Sequence, residues 1–152
     1  AIETSGITPA QLSLEITESV LMDDPARATV ALAELRSLGI AIAVDDFGTG
    51  YSSLSYLQRF PVDVLKIDRA FIEPMNRSEP ASTAVVTTII GLADTMGLDV
   101  VAEGIERPDQ LQRLVDLGCA KGQGYLMSRP LDVAGATAFL SLQDHDLATV
   151  PR

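Results

Sequence analysis

The chain has 152 residues, 47% of them hydrophobic, which is enough for one sizeable core and too short for two domains of ordinary size. Twenty-one acidic against eleven basic residues give a formal charge of −10, which disfavours a nonspecific grip on the phosphates of DNA or RNA polymers unless bound cations reverse the sign locally. No apolar run approaches the roughly 18 residues that span a bilayer, and the first residues lack the basic-then-apolar order of a signal peptide, so a soluble, cytoplasmic protein is expected.

The first expected strand covers residues 12–16 and leaves Glu15 and Glu18 at its exit. Glu15-Ile16-Thr17-Glu18 also has the spacing of a helix-capping sequence. Asp24-Pro25 starts a helix whose Val30, Leu32, Leu35 and Leu38 supply an apolar stripe, and Gly39 closes its last turn. A second strand, 40–45, carries the apolar run Ala41-Ile42-Ala43-Val44 before its end, as suits a strand buried on both faces of a parallel sheet. It ends in the adjacent carboxylates Asp45 and Asp46 and opens into Gly48-Thr49-Gly50-Tyr51. That loop lacks both the phosphate-loop ending and the dinucleotide spacing, so it is expected to be a lid or an interface loop.

The third strand, 64–67, carries Lys66, and Asp68 lies two residues on and therefore on the same face. From spacing alone the pair is either a buried structural ion pair or a lysine set into a carboxylate mouth, with Asp68 the more structural of the two. A helix over 82–96 contains the β-branched run 85–90, which competes locally for strand, but its length and Gly97 favour helix. The fourth strand, 99–102, exits into Glu103 and Glu106. Arg107-Pro108-Asp109 opens the next helix, with Leu111, Leu114, Val115 and Leu117 on its inner side. The lone Cys119 cannot form an internal disulfide and is expected to be a small buried residue. A fifth strand over 122–127 carries Gln123, a helix follows Leu131, and 141–152 forms a polar tail in which the sole histidine, His145, is solvated. The unit is thus 1–140, with 141–152 as its tail.

Strands alternating with helices imply right-handed crossovers and an α/β fold with a parallel sheet. That sheet is either open or part of a closed eight-stranded barrel, which typically needs about 250 residues, so that roughly its first three strands would lie outside this chain. Chemistry collects at the carboxyl ends of such strands, where Glu15, Asp45, Asp46, Glu103, Glu106 and Gln123 all recur. Carboxylates crowded into one mouth repel unless cations lie between them or their pKa values rise. Two hard metal ions about 3.5–4 Å apart, bridged by Asp45 or Asp46, would relieve that repulsion and suit phosphoryl transfer.

Taken together, Leu14-Glu15-Ile16-Thr17-Glu18-Ser19, Asp45-Asp46-Phe47-Gly48-Thr49-Gly50-Tyr51-Ser52, Lys66-Ile67-Asp68-Arg69, Glu103-Gly104-Ile105-Glu106 and Gln123-Gly124-Tyr125 closely resemble the bacterial EAL domain. The resemblance implies the C-terminal five strands of a modified TIM (β/α)8 barrel and a phosphodiesterase that opens cyclic di-GMP to linear pGpG with Mg²⁺ or Mn²⁺. It implies metal ligation by Glu15, Asp45, Asp46 and Glu103, with Lys66 orienting the hydrolytic water and Glu103 acting also as general base. Gln123 and Glu106 would line the substrate site, and Glu18 would anchor the loop 46–54, which in the family links the site to dimerisation.

The Glu-Ala-Leu signature and the asparagine ligand after it do not occur here. Both would precede Ala1, so the expectation is a truncated piece of an active parent that carries sensory or diguanylate-cyclase (GGDEF) domains, inactive by itself and prone to self-association, for example as a homodimer. A non-catalytic cyclic di-GMP-binding regulatory module is the alternative. A carboxylate-processing barrel similar to enolase relatives is a third reading, weakened because Asp68 stands where its second lysine would be.

Overall fold

The computed structural model describes residues 2–49, 57–75 and 80–146. Five strands form one sheet in sequential order, every neighbouring pair parallel: β1 (Ser13–Thr17), β2 (Ala41–Phe47), β3 (Val64–Ile67), β4 (Asp99–Ala102) and β5 (Lys121–Gly122). An order that never reverses is what consecutive right-handed βα units of a TIM-type barrel give, because each crossover returns on the same side of the sheet. Chain order therefore separates a helix-covered face from a face that carries the chemistry.

The helices are α1 (Ile2–Ser5), α2 (Glu18–Asp23), α3 (Pro25–Ser37), α4 (Arg69–Ile72), α5 (Pro80–Met96), α6 (Pro108–Asp116) and α7 (Val133–Asp146). Asp24 caps α3 by accepting a hydrogen bond from the Arg27 amide at 3.1 Å, with Pro25 in the first turn, and Gly39 at φ 87° follows its end. Helix α5 forms through its β-branched run because Val86, Ile89 and Ala93 bury one face, while the hydroxyls of Thr87, Thr88 and Thr95 donate to carbonyls four residues back. No helix of the described residues is long and apolar enough to cross a membrane.

The core lies between sheet and helices. Ile42 and Val44 of β2, Leu65 and Ile67 of β3, and Ala102 of β4 are buried there with Ile72, Val86, Ile89 and Leu114. Each fully buried Leu or Ile contributes about 1.5–3 kcal/mol relative to exposure. The expected stripes were too wide. Leu32 and Leu35 of α3 and Leu114 and Leu117 of α6 face the core, whereas Val30, Leu38, Leu111 and Val115 are exposed. At about 100° per residue Val30 points roughly 160° away from Leu32, so the two cannot share a narrow face.

Three further expectations change. The fifth strand is only Lys121–Gly122, because the chain turns at Gly124, where Met127 N donates back to the Gly124 carbonyl at 3.0 Å. The proposed tail is helical to Asp146, so the boundary at 140 falls inside α7; His145 stands on that helix with its side chain outside the described residues, as are residues 147–152. Glu18 is not part of a capping box: Thr17 is the N-cap of α2 without a side-chain cap bond, and the Glu18 carboxylate is used elsewhere.

Candidate functional site

Register decides which side chains meet. Glu15 pairs with Ala43, Ala43 with Val64, Lys66 with Val101, and Val101 with Lys121. Paired residues of a parallel sheet share a face and so do residues two apart, which places Glu15, Asp45, Lys66, Glu103 and Gln123 together opposite the core. The face is charged because these strands alternate: Leu65 and Ile67 go to the helices and Lys66 between them goes the other way.

Asp46 departs from that alternation, and the backbone shows how. The β2–β3 register slips between Val44 and Phe47, and within the slip Asp46 takes φ 54°, which is sterically costly for a residue with a Cβ and best tolerated by Asn or Asp. The bulge adds one residue before Phe47 returns to the core, 5% exposed. Adjacent carboxylates in a regular strand would point apart; here Asp46 feels Asp45, Asp68 and Lys66. Burial first, then the Asp45 charge and a hydrogen bond with Asp68, raise its carboxyl above the ordinary value, with Lys66 opposing.

Lys66 is the centre of the site. Its side chain is 6% exposed, and Nζ lies 2.6 Å from Glu15 Oε2, 3.0 Å from Asp45 Oδ1 and 2.5 Å from Glu103 Oε1. Burial by itself lowers the lysine pKa, but the close Glu103, Glu15 and Asp45 carboxylates outweigh it and hold the group above its ordinary value. Lys66 is therefore a fixed ammonium, a donor and a positive charge, and not a proton acceptor. Glu103 is shifted upward, chiefly by burial, against the pull of Lys66 and with help from Asp45 and Glu15. Gln123 donates from Nε2 to Glu103 Oε1 at 2.9 Å.

The remaining site residues sit around this centre. Asp68 caps α4 by accepting from the Ala70 amide at 2.8 Å, a structural role other than the ion pair with Lys66 that spacing offered. Glu18, 6% exposed, accepts from the Gly48 amide at 3.2 Å through Oε2, so it ties the start of the loop after β2; residues 50–54 of that loop lie outside the described ones. Glu106 is on the far side of Glu103 from Lys66 in sequence and pairs with Arg69 Nη2 at 3.2 Å. Arg69 has no role of its own in the motif pattern, although a cation directly after a strand exit in so acidic a chain is a readable signal. Its stem fills the space a Cβ on Gly104 would take, at 2.4 Å from Cγ, and Gly104 is at φ 71°.

A cleft of about 370 Å³ opens beside the centre, lined by Arg69, Glu103, Glu106, Gln123, Tyr125 and Arg129. Arg129 stacks on the Tyr125 ring at 4.7 Å, which presents a flat cationic and aromatic wall. Apolar core, acidic centre and basic outer wall thus follow one another across the carboxyl end of the sheet.

The donors of the centre are carboxylate oxygens, the type that hard divalent cations prefer. Asp45 Oδ1 is buried and, despite its 3.0 Å approach to Lys66, makes no hydrogen bond of good geometry, which leaves an oxygen open to a cation. Among the described residues no group of three or more is drawn together around a single metal position; the ammonium lies between Glu15, Asp45 and Glu103 instead. In donor chemistry, though not in their present arrangement around the ammonium, Glu15, Asp45, Asp46 and Glu103 could hold a divalent cation.

Comparison with known proteins bears on this arrangement. The EAL domain model matches residues 1–130. "Cyclic di-GMP phosphodiesterase NbdA" of Pseudomonas aeruginosa is 44% identical over 97% of this chain and 19% of its own length. The structure of the Pseudomonas aeruginosa MucR phosphodiesterase in complex with c-di-GMP superposes with a TM-score of 0.83 at 42% identity, over 88% of this chain and 53% of that one. The EAL enzyme Bd1971, solved with cAMP and cyclic di-GMP bound, gives 0.84 at 46% identity, over 93% of this chain and 36% of that one. The chain thus spans about a fifth of NbdA and about half of the MucR structure.

Proposed function

The chain belongs to the EAL domain family, and from that membership we propose that it supplies most of the active-site rim of a phosphodiesterase that hydrolyses cyclic di-GMP to linear pGpG. The observation that carries the reading is the Lys66 ammonium held among Glu15, Asp45 and Glu103 from the ends of four strands, with Gln123 behind Glu103. A site meant only to bind an anionic dinucleotide gains nothing from so many carboxylates facing the ligand. Relatives that carry the phosphodiesterase name support the same activity here.

Glu15, Asp45, Asp46 and Glu103 would hold Mg²⁺ or Mn²⁺. Such a cation, once bound, lowers the pKa of a coordinated water and offsets charge on the phosphate. The chain's own groups do the rest. Lys66, locked in its charged form, donates toward a water or phosphate oxygen at the rim and keeps the carboxylates from repelling one another apart. Glu103, shifted upward and steadied by Gln123, is the carboxylate best poised to take a proton from that water. Arg69, Glu106, Tyr125 and Arg129 shape the cleft where a base and its phosphate would lie.

Hydrolysis is tested with cyclic di-GMP and Mg²⁺ or Mn²⁺ on this chain and, in parallel, on a form extended upstream. We expect pGpG from the extended form and none from the chain alone, since family ligands that precede these motifs are not among its residues. Binding without cleavage by the extended form would make this a receptor and remove the catalytic roles. Strands β1 and β5 each pair on one side only within the described sheet, so the chain should also associate with itself or with an upstream segment. A monodisperse monomer of the chain would refute that part.

A further inference from the structure

We propose that Gln110 is a positioning residue for the substrate cleft, fixing the wall formed by Glu106 and Arg69 through its buried amide; this rests on the phosphodiesterase reading above. Gln110 is 1% exposed and is the third residue of α6, in its first turn. Its Oε1 accepts from the Glu106 and Arg107 amides, both at 2.9 Å. Its Nε2 donates to the Ile72 carbonyl at 2.9 Å and reaches the Glu73 carbonyl at 3.5 Å. One side chain thus joins the loop after β4 to the end of α4, the helix that begins with Arg69.

A capping-box glutamine needs only the bond to the N-cap amide, here that of Arg107. Here the amide spends its donor half on a different βα unit, and the two groups it secures, the Glu106 backbone and α4, are the ones whose side chains meet across the cleft wall at 3.2 Å. The other side of the same loop is already clamped. Ile105 N donates to the Gln123 carbonyl at 3.1 Å, Leu126 N donates to the Ile105 carbonyl at 2.9 Å, and Gly124 packs so closely that a Cβ would lie 2.1 Å from that carbonyl oxygen. With β5 holding Ile105 and Gln110 holding Glu106, the loop has no freedom to carry Glu106 away from Arg69. Lys66 lies in β3, and Glu103, directly after β4, donates its amide to the Ile67 carbonyl at 3.1 Å, so both are held by the sheet and not by Gln110.

Positioning of binding groups, as opposed to reacting ones, appears in KM and not in kcat. Gln110→Met keeps the shape and removes every hydrogen bond of the amide; Gln110→Glu keeps the acceptor facing Glu106 and loses the donor to Ile72. In the full-length protein with cyclic di-GMP, Gln110→Met should raise KM about tenfold and leave kcat within about twofold, Gln110→Glu should raise KM less, and Gln110→Met added to Glu106→Gln should raise KM no further than Glu106→Gln alone. Unchanged KM in Gln110→Met, a fall in kcat at constant KM, or full additivity with Glu106→Gln would each overturn the proposal. If Gln110→Met does not fold, Gln110→Glu decides it by the same KM comparison. If the wild-type protein does not turn over cyclic di-GMP, the phosphodiesterase reading fails by itself, and amide exchange settles the coupling: Glu106 and Arg107 must lose protection together with the α4 end in Gln110→Met, and unchanged exchange refutes it.

Discussion

Two polar knots, one around the buried Gln110 and one around the buried Lys66, are built on opposite principles. Around Gln110 the charges balance: both polar atoms of the neutral amide are used, and Arg107, paired with Asp109, adds bonds to the Glu73 and Met75 carbonyls at 3.4 and 3.1 Å. Around Lys66 one cation faces three carboxylates, and a buried Asp45 oxygen is left without a hydrogen bond. A satisfied neutral network rigidifies the fold, whereas an over-acidic network costs stability unless a ligand completes it. The difference teaches where to look for function: the knot that is electrostatically unfinished is the one at the open end of the sheet.

Changes at the two knots should therefore separate stability from activity. Asp45→Asn in the full-length protein should lower turnover on the order of 10²–10³-fold while leaving stability within about 1 kcal/mol, since it removes one like charge from a crowded set. A kinetic assay paired with a denaturant melt reads both, and full activity would refute the assignment of Asp45 to a metal. Lys66→Met should also abolish turnover and should destabilise by about 1–3 kcal/mol, the partly exposed carboxylates tempering the cost of an unpaired cluster. Added Mg²⁺ or Mn²⁺ should recover part of that loss in a thermal melt; no recovery would argue against a cation site there.

The neutral knot should answer in the reverse sense. Arg107→Ala should cost about 1 kcal/mol of stability with kcat nearly unchanged, and a collapse of kcat would show that the two knots are not independent. The smallest effect concerns Cys119, whose thiol burial pushes above its ordinary value of 9.0, with the Lys121 and Ala102 backbone opposing. A thiol whose folded pKa is raised contributes stability that is present below the unfolded value and is lost as pH rises through the folded one. Above about pH 9 the wild type should lose slightly more stability than Cys119→Ala, and native Cys119 should resist alkylation until the protein unfolds; rapid native labelling would contradict its burial.

Much of the fold was legible because the signals were local. The glycines at 39, 97 and 118 stop helices at positive φ, Pro25 and Pro108 start them, and Val64–Ile67 and Asp99–Ala102 are strands with the expected bounds. The fifth strand, the widths of the helical stripes and the end of α7 were not legible, because each depends on what the neighbouring element covers. Glu18 has the spacing of a cap because it stands three residues after Glu15, but a loop amide at Gly48, thirty residues away, claims its carboxylate.

The acidic inventory, the βα order, the period-two alternation of each strand and the return of Glu15, Asp45 and Glu103 at successive strand exits are legible along the chain alone. Only the tertiary structure decided three things: that register brings these groups within hydrogen-bond reach of one ammonium, that a bulge at Asp46 keeps both adjacent aspartates at the rim, and that Gln110 ties two loops together. Alternation is a property of one strand and can be read along it. Register, bulge and bridging amide are relations between strands and loops far apart in sequence, and they exist only once the sheet has closed those distances.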